Sequence, residues 1–176
     1  LHNVIFKNSP SILIKASPLL DIQQGLREIP QVKTVFVVSV GNECKELLFL
    51  SERGYEGEPL IEAVDLFENG NVRHSFSFTF ADERNARVTV GEPKVYLFEP
   101  SASIMKSGAF KRVSEKFGLT KLEVNTHLYT SSFLLFDFPG KTFLIECLDP
   151  DVKQLKELLP EGKVNVVSRN YPLTPD

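Results

Sequence analysis

Ser11-Ile12-Leu13-Ile14-Lys15-Ala16-Ser17-Pro18-Leu19-Leu20-Asp21-Ile22, followed at residue 33 by Lys33-Thr34-Val35-Phe36-Val37-Val38-Ser39-Val40, is the run that decides the fold. Residues 11–16 form a short, nearly continuous apolar segment, the pattern of a strand buried on both faces in a parallel sheet. Ser17 and Pro18 read as an N-cap and a first helical residue. Leu19, Ile22, Leu26 and Ile29 then fall at i, i+3, i+7 and i+10 on one helical face, closed by Pro30. Residues 33–40 are a β-branched strand ending at Gly41-Asn42, with 46–50 as its hairpin partner. Strand, helix, strand is a crossover unit, which predicts that strands 11–16 and 33–40 are parallel.

Working outward, a loop rich in Gly and Glu (54–59) leads to a strand at 60–67, and Asn69-Gly70 marks a tight turn. Residues 75–80 alternate strictly, with Phe76, Phe78 and Phe80 on one face and Ser75, Ser77 and Thr79 on the other. Core packing is preferred for these rings over a base-stacking platform, which needs exposed aromatic faces. Residues 87–90 read as a returning strand, and Gly91-Glu92-Pro93 as a linker that sets a domain boundary after residue 92. Beyond it come a strand at 95–98, a helix at 102–117 with Met105, Ala109, Phe110, Val113 and Phe117 in 3–4 spacing, and strands at 121–130 and 141–148. A short helix at 149–159 and a strand at 164–168 complete the order. The expected order is βαββαβ, two helices on one face of a four-stranded antiparallel sheet and the other face free. The fold class is thus α/β followed by α+β.

The 176 residues fall in the size range of one compact domain or two small ones. Hydrophobic residues are 42 % and charged residues 24 %, which excludes wholesale disorder. No apolar run approaches the ~20 residues of a membrane span. Cys44 and Cys147 are too few and too far apart for a disulfide framework or thiolate metal site, which fits a reducing, cytoplasmic setting. Net charge is −3, with 10 Lys+Arg against 13 Asp+Glu in residues 1–95 and 10 against 10 in 96–176, so there is no large basic field. The chain starts at Leu1 and ends with Thr174, Pro175 and Asp176 in N-cap, first-helical and first-turn roles. The expectation is a fragment of a longer protein.

There is no G-x-G-x-x-G, P-loop, H-E-x-x-H or C-x-x-C, and His2, His74 and His127 are far apart, so metal catalysis is not expected. Three polar clusters remain. Lys15, Ser17 and Asp21 lie at the C-terminal end of the first strand, where open α/β sheets bind ligands, although the spacing alone favours ordinary helix capping by Ser17 with a solvent-exposed Asp21. Asn42-Glu43-Cys44-Lys45-Glu46 occupies a hairpin tip and needs only solvent. Asn125, His127 and Tyr129 alternate onto one face of the strand at 121–130, open to a ligand, a neighbouring domain or water. The helix at 102–117 adds Lys106, Lys111, Arg112 and Lys116, and Arg169 with Asn170 follows the last strand; these suit phosphates but are too few to establish nucleic-acid binding.

Five ordered strings go further: Lys15-Ala-Ser-Pro-Leu-Leu-Asp-Ile22, Asn42-Glu-Cys-Lys-Glu-Leu-Leu48, Tyr96-Leu-Phe-Glu-Pro-Ser-Ala-Ser-Ile-Met-Lys-Ser-Gly-Ala-Phe-Lys111, Thr126-His-Leu-Tyr-Thr-Ser131 and Arg169-Asn-Tyr-Pro-Leu173. Together they resemble a bacterial family of class I S-adenosylmethionine-dependent methyltransferases with ferredoxin-like and THUMP-like regions. The resemblance implies that residues 1–92 are the C-terminal part of a Rossmann-like methyltransferase sheet, its fifth strand, helix and antiparallel sixth and seventh strands. It makes 93–172 a ferredoxin-like domain and 173–176 the start of a truncated THUMP-like region. It implies RNA as substrate class, by analogy with modules that accompany RNA-modifying enzymes. The glycine loop, the ribose-holding acid and the catalytic segment of that family would precede Leu1, so the chain by itself is expected to be inactive and to bind no S-adenosylmethionine. Lys15, Ser17, Asp21, Asn125, His127, Tyr129, Arg169 and Asn170 are the expected substrate-side residues. A noncatalytic module that binds RNA or protein is the alternative.

Overall fold

The computed structural model describes residues 2–159 and 161–167. Helix α1 (His2–Asn8) precedes strand β1 (Ser11–Ala16), helix α2 (Ile22–Glu28) and strands β2 (Val32–Val40), β3 (Glu43–Glu52), β4 (Leu60–Leu66) and β5 (Val72–Phe78). These strands form one sheet in the order β1-β3-β2-β4-β5. β1 and β2 run the same way, as the crossover requires, but they are not neighbours. The hairpin return β3 lies between them, antiparallel to both, and the parallel pair is β2 with β4. β3 takes the place between them because Leu47, Phe49 and Ser51 bring a fully buried face there. β1 is therefore an edge strand whose Ser11, Leu13 and Lys15 stay exposed, where burial on both faces was expected.

Helix α2 also starts later than its apolar spacing suggests. Ser17 spends its hydroxyl on a local turn, accepting from Leu19 N at 3.2 Å, while Leu20 N donates to the Ser17 carbonyl at 3.1 Å. The cap is Asp21, whose carboxylate accepts from Gln24 N at 2.8 Å. Leu19 is thus 90 % exposed, and Leu20 packs on the core in its place with Ile22, Leu26 and Ile29. Gly25 makes the contact close: a Cβ there would stand 2.5 Å from Cζ of Phe49.

The β2–β3 turn has Gly41 and Asn42 at φ of +59° and +62°, the left-handed pair that a two-residue hairpin needs. Phe76 and Phe78 of β5 are buried, as core packing predicts, but Phe80 has left the strand. Thr79 and Asp82 close a capping box at the head of helix α3 (Phe80–Asn85). Strand β6 (Thr89–Val90), expected to return to this sheet, instead pairs in parallel with a strand of the second one.

That second sheet uses β7 (Tyr96–Pro100), helices α4 (Ala102–Ser107) and α5 (Phe110–Phe117), β8 (Thr120–Glu123), β9 (Thr126–Ser131) and β10 (Gly140–Leu144), before helix α6 (Val152–Leu158). Its order is β10-β7-β9-β8-β6. The expected single helix at 102–117 breaks where Gly108 adopts φ +81°. The expected single strand at 121–130 is a hairpin turning at residues 124–125. No helix separates β9 from β10, and residues 163–167 form no strand, so the second half of the expected βαββαβ order is displaced: its helix follows the fourth strand. Ser168 and the residues 173–176 lie outside the described residues.

The face expected to be free is partly screened. Leu155 and Leu158 of α6 stand across a cleft of about 560 Å³ from Leu97, Leu122 and Leu128, which alternate away from Phe98 and Tyr129. On the opposite side α4 packs against β2, β3 and β4. The two sheets consequently share one core, in which Phe49, Phe76, Phe78, Phe98 and Tyr129 are fully buried. Each such ring contributes ~1.5–3 kcal/mol relative to exposure. Among the described residues no helix is long and apolar enough to cross a membrane.

Candidate functional site

The second and third polar clusters of the sequence meet at one place. The tip of the β2–β3 hairpin reaches across to the head of α4, where Asn42 Oδ1 accepts from Ala102 N at 3.1 Å. Beside this contact lies a cavity of about 400 Å³, lined by Asn42, Glu99, Pro100, Ala102, Met105, Asn125, Thr126 and His127. One wall comes from a turn of the first sheet and the rest from the second. The hairpin tip, which needed only solvent on sequence grounds, is an inter-sheet joint.

His127 is held rigidly here. Its ring stacks on Phe110 with centroids 3.6 Å apart and planes 15° off parallel. Burial, and then the nearby Lys121 ammonium, hold its pKa below the ordinary imidazole value, so the ring is neutral at pH 7. Nδ1 is buried and has no hydrogen-bond partner. Lys121 is itself 4 % exposed, and its ammonium donates to the Val124 carbonyl inside the β8–β9 turn. Desolvation lowers its pKa, opposed by Glu83 and Glu123.

Of the expected site residues, Asn125 and His127 line the cavity. Asn125 belongs to the turn and not to a strand face. Tyr129 is a correction: its side chain is fully buried, and its hydroxyl donates to the Phe110 carbonyl at 2.8 Å. Burial and the Glu83 carboxylate push the phenol above its ordinary pKa. It supports the platform under His127 and is not among the described residues that line this cavity. Lys15 pairs with Glu46 at 2.6 Å on the exposed edge, Ser17 closes a turn and Asp21 caps α2. These three do not join Asn125 and His127. Asp21 lies instead along a shallow polar groove with Glu83, Arg84 and Lys106. Arg169 and Asn170 lie outside the described residues.

The basic helix residues are largely committed within the fold. Lys111 Nζ donates to the Arg84 carbonyl at 3.2 Å, Arg112 pairs with Glu115 at 2.6 Å, and Lys116 sits 4.7 Å over the Phe76 ring. The Glu83 carboxylate accepts from Lys111 N and Arg112 N, both at 2.8 Å, and so ties α3 to α5. Cys44 is half-buried, and desolvation pushes its thiol up against the opposing Lys106 ammonium and Glu46 amide, which makes it a poor nucleophile. Among the described residues no group of His, Cys, Asp or Glu could hold a metal ion. What sequence reading missed was Asn42, whose left-handed turn position was visible but whose partner lies 60 residues away.

A family described as a ferredoxin-like domain matches residues 96–139, from β7 through β9 to the connection before β10. The chain is also similar to a solved structure from Porphyromonas gingivalis described as a "putative methyltransferase". The two are 34 % identical, with a TM-score of 0.83 over 94 % of this chain, which spans 42 % of that protein's length. No curated protein matches the sequence.

Proposed function

We propose that this chain is the C-terminal part of an S-adenosylmethionine-dependent methyltransferase, in which the first sheet ends the cofactor-bearing sheet and the second presents RNA to it. The observation that carries this reading is the 34 % identity to the Porphyromonas gingivalis protein across 94 % of the chain. The topology supports it, since β1, α2 and the β2–β3 hairpin are the strand, helix and antiparallel pair that the resemblance assigns to the tail of such a sheet.

The residues described here do not fit the nucleoside cofactor. No glycine-rich turn joins a strand to a helix among them, and at the end of β1 the Asp21 carboxylate is engaged by Gln24 N while Ser17 closes its own turn. No methyl-transfer step is therefore assigned to these side chains. Nor do Lys111, Arg112 and Lys116 of α5 argue for RNA, being engaged with internal partners. The polar cavity at the joint of the two sheets, with Asn42, Asn125, Thr126 and His127 in its lining, is the better support for a substrate-side role.

The test is an assay of the full-length protein with methyl-labelled S-adenosylmethionine on total cellular RNA and on protein extract. Label in RNA is the expected result. Label in protein alone would overturn the RNA assignment. No label in either fraction, with RNA still bound, would favour the noncatalytic binding module. The present chain alone should give no calorimetric heat with S-adenosylmethionine at micromolar concentration.

A further inference from the structure

We propose that the outer face of the first sheet is an internal interface of a longer protein, covered by an amphipathic helix of the same polypeptide that lies before Leu1. It rests on the reading above for one point, that this chain is the C-terminal part of that protein. The inner face of the sheet is closed. Val35, Val37, Leu47 and Phe49 are buried there, Gly25 of α2 lies against the Phe49 ring, and Ile104 of α4 joins the same core. The residues that alternate with them are apolar as well. Phe36 and Val38 of β2, Leu48 and Leu50 of β3 and Val64 of β4 are half-buried, Leu13 of β1 is 59 % exposed, and none belongs to the shared core of the described residues. Register makes them one patch: Leu13 is paired with Leu50, Leu48 with Phe36 and Val38 with Val64.

β5 supplies the internal contrast. Its Phe76 and Phe78 are buried while Ser77 and Ser75, paired with Glu62 and Val64, are exposed, the alternation of a strand with one face in water. β2 and β3 are apolar on both sides, the pattern of strands with two covered faces. The cover therefore lies over β1, β3, β2 and β4 and ends before β5. Four strands at ~4.8 Å spacing make the patch ~14 Å wide, room for one helix of ~10–12 Å diameter laid along them. Such a helix must carry an apolar stripe at i, i+3, i+4 and i+7. Position selects the same polypeptide as its source. The patch runs out to β1, the free edge of the sheet, and α1 packs against β1, so the chain arrives on that side. Phe6 of α1 is buried, yet outside the core that the two sheets share. The similar Porphyromonas gingivalis protein has the length for a further layer, since this chain spans 42 % of it. Nucleic acid does not suit this face: Lys15 is paired with Glu46, and Glu62 stands beside Phe36.

The test uses the full-length protein with p-benzoylphenylalanine in place of Phe36, and separately of Ser77, irradiated as a mixture of ¹⁴N- and ¹⁵N-labelled copies and read by mass spectrometry. Position 36 should cross-link within one copy to a segment before Leu1 that has the apolar stripe of a helix, and position 77 should not. A second measurement avoids the bulky residue. Val38→Cys should be alkylated at least ~10-fold more slowly than Ser77→Cys in the native full-length protein, as expected where a covered site must open before it reacts. Cross-links joining ¹⁴N to ¹⁵N copies would assign the face to a second copy and overturn the proposal. So would the absence of any link from position 36, a link to residues after Asp176, or alkylation of the two cysteines at equal rates. Neither readout involves methyl transfer. Label transferred by a protein whose face is open would sink this inference alone, and a covered face in a protein that transfers no label would sink the enzymatic reading and leave this one standing.

Discussion

Tyr129→Phe separates a supporting role from a binding role more cleanly than any other single change. The substitution removes one oxygen from a fully buried ring and leaves the packing volume intact, so it costs no cavity. What is lost is the 2.8 Å bond to the Phe110 carbonyl, worth about 0.5–1.5 kcal/mol net. For a chain of this length 1 kcal/mol corresponds to a melting-temperature change of roughly 2–4 °C. A drop of that size in a thermal melt at pH 7 is expected, against ~3–5 kcal/mol for Tyr129→Ala, which empties the ring's site. The pH dependence adds a second reading. The folded phenol has a raised pKa, so above about pH 10 the unfolded chain loses its proton first and stability falls as pH rises. The Phe variant should lack that slope. An unchanged melting temperature and an unchanged alkaline slope would refute the reasoning.

Gly25→Ala should lower the urea midpoint without changing the slope. Its methyl would press on the buried Phe49 ring at ~1–3 kcal/mol, only partly offset by about 1 kcal/mol of helix propensity. Asp21→Ala should cost ~0.5–2 kcal/mol while Asp21→Asn stays near neutral, because either side chain can accept from Gln24 N; a large loss for Asn in a denaturation series would point to a role for the charge. His127 has its folded pKa depressed, so as pH falls through about 6.5 the unfolded ring takes its proton first and stability declines. A His127→Gln variant should not show that decline in melts across this range. Lys121→Met should raise the His127 pKa in a proton NMR titration, but not fully to the ordinary value, since burial is the larger cause; a fall would contradict the assignment.

Local chemistry in the sequence foretold most elements and few of their neighbours. The Gly41-Asn42 turn, the Phe76 and Phe78 core positions and the apolar face of α2 follow from torsional preference and period, which act within a few residues. One error has another origin. In the first sheet the strand–helix–strand unit is split by the following strand, β3 lying between β1 and β2, whereas β9 between β7 and β8 is the split that the expected ferredoxin-like order carries. Residue period cannot report which strand fills the gap, because that depends on burial competition among segments far apart in sequence. The 121–130 run looked continuous because Val124 and Asn125 interrupt its alternation with no Gly or Pro, and the turn is held by the Lys121 ammonium on the Val124 carbonyl. Ser17 and Asp21 are both good caps; Ser17 is engaged in its own turn with Leu19 N, and Asp21 takes the helix N-terminus.

The candidate site was half legible for the same reason. Asn125 and His127 stand out as polar residues in an apolar strand pattern, but what gives them a cavity is α4. That helix is seated on β2, β3 and β4, and its head is joined to Asn42. Gly108 then breaks the helix in a left-handed residue, and the new direction of α5 sets Phe110 under His127. An unbroken helix would carry Phe110 onward along the axis of α4, and the imidazole would lose its platform. The pocket is thus a consequence of one glycine's permitted backbone geometry acting on a helix already fixed by the first sheet. Gly108→Val should disturb His127 stacking, read as a shift of the His127 ring signals in a proton NMR spectrum, even though a Cβ at residue 108 would meet nothing within 4 Å.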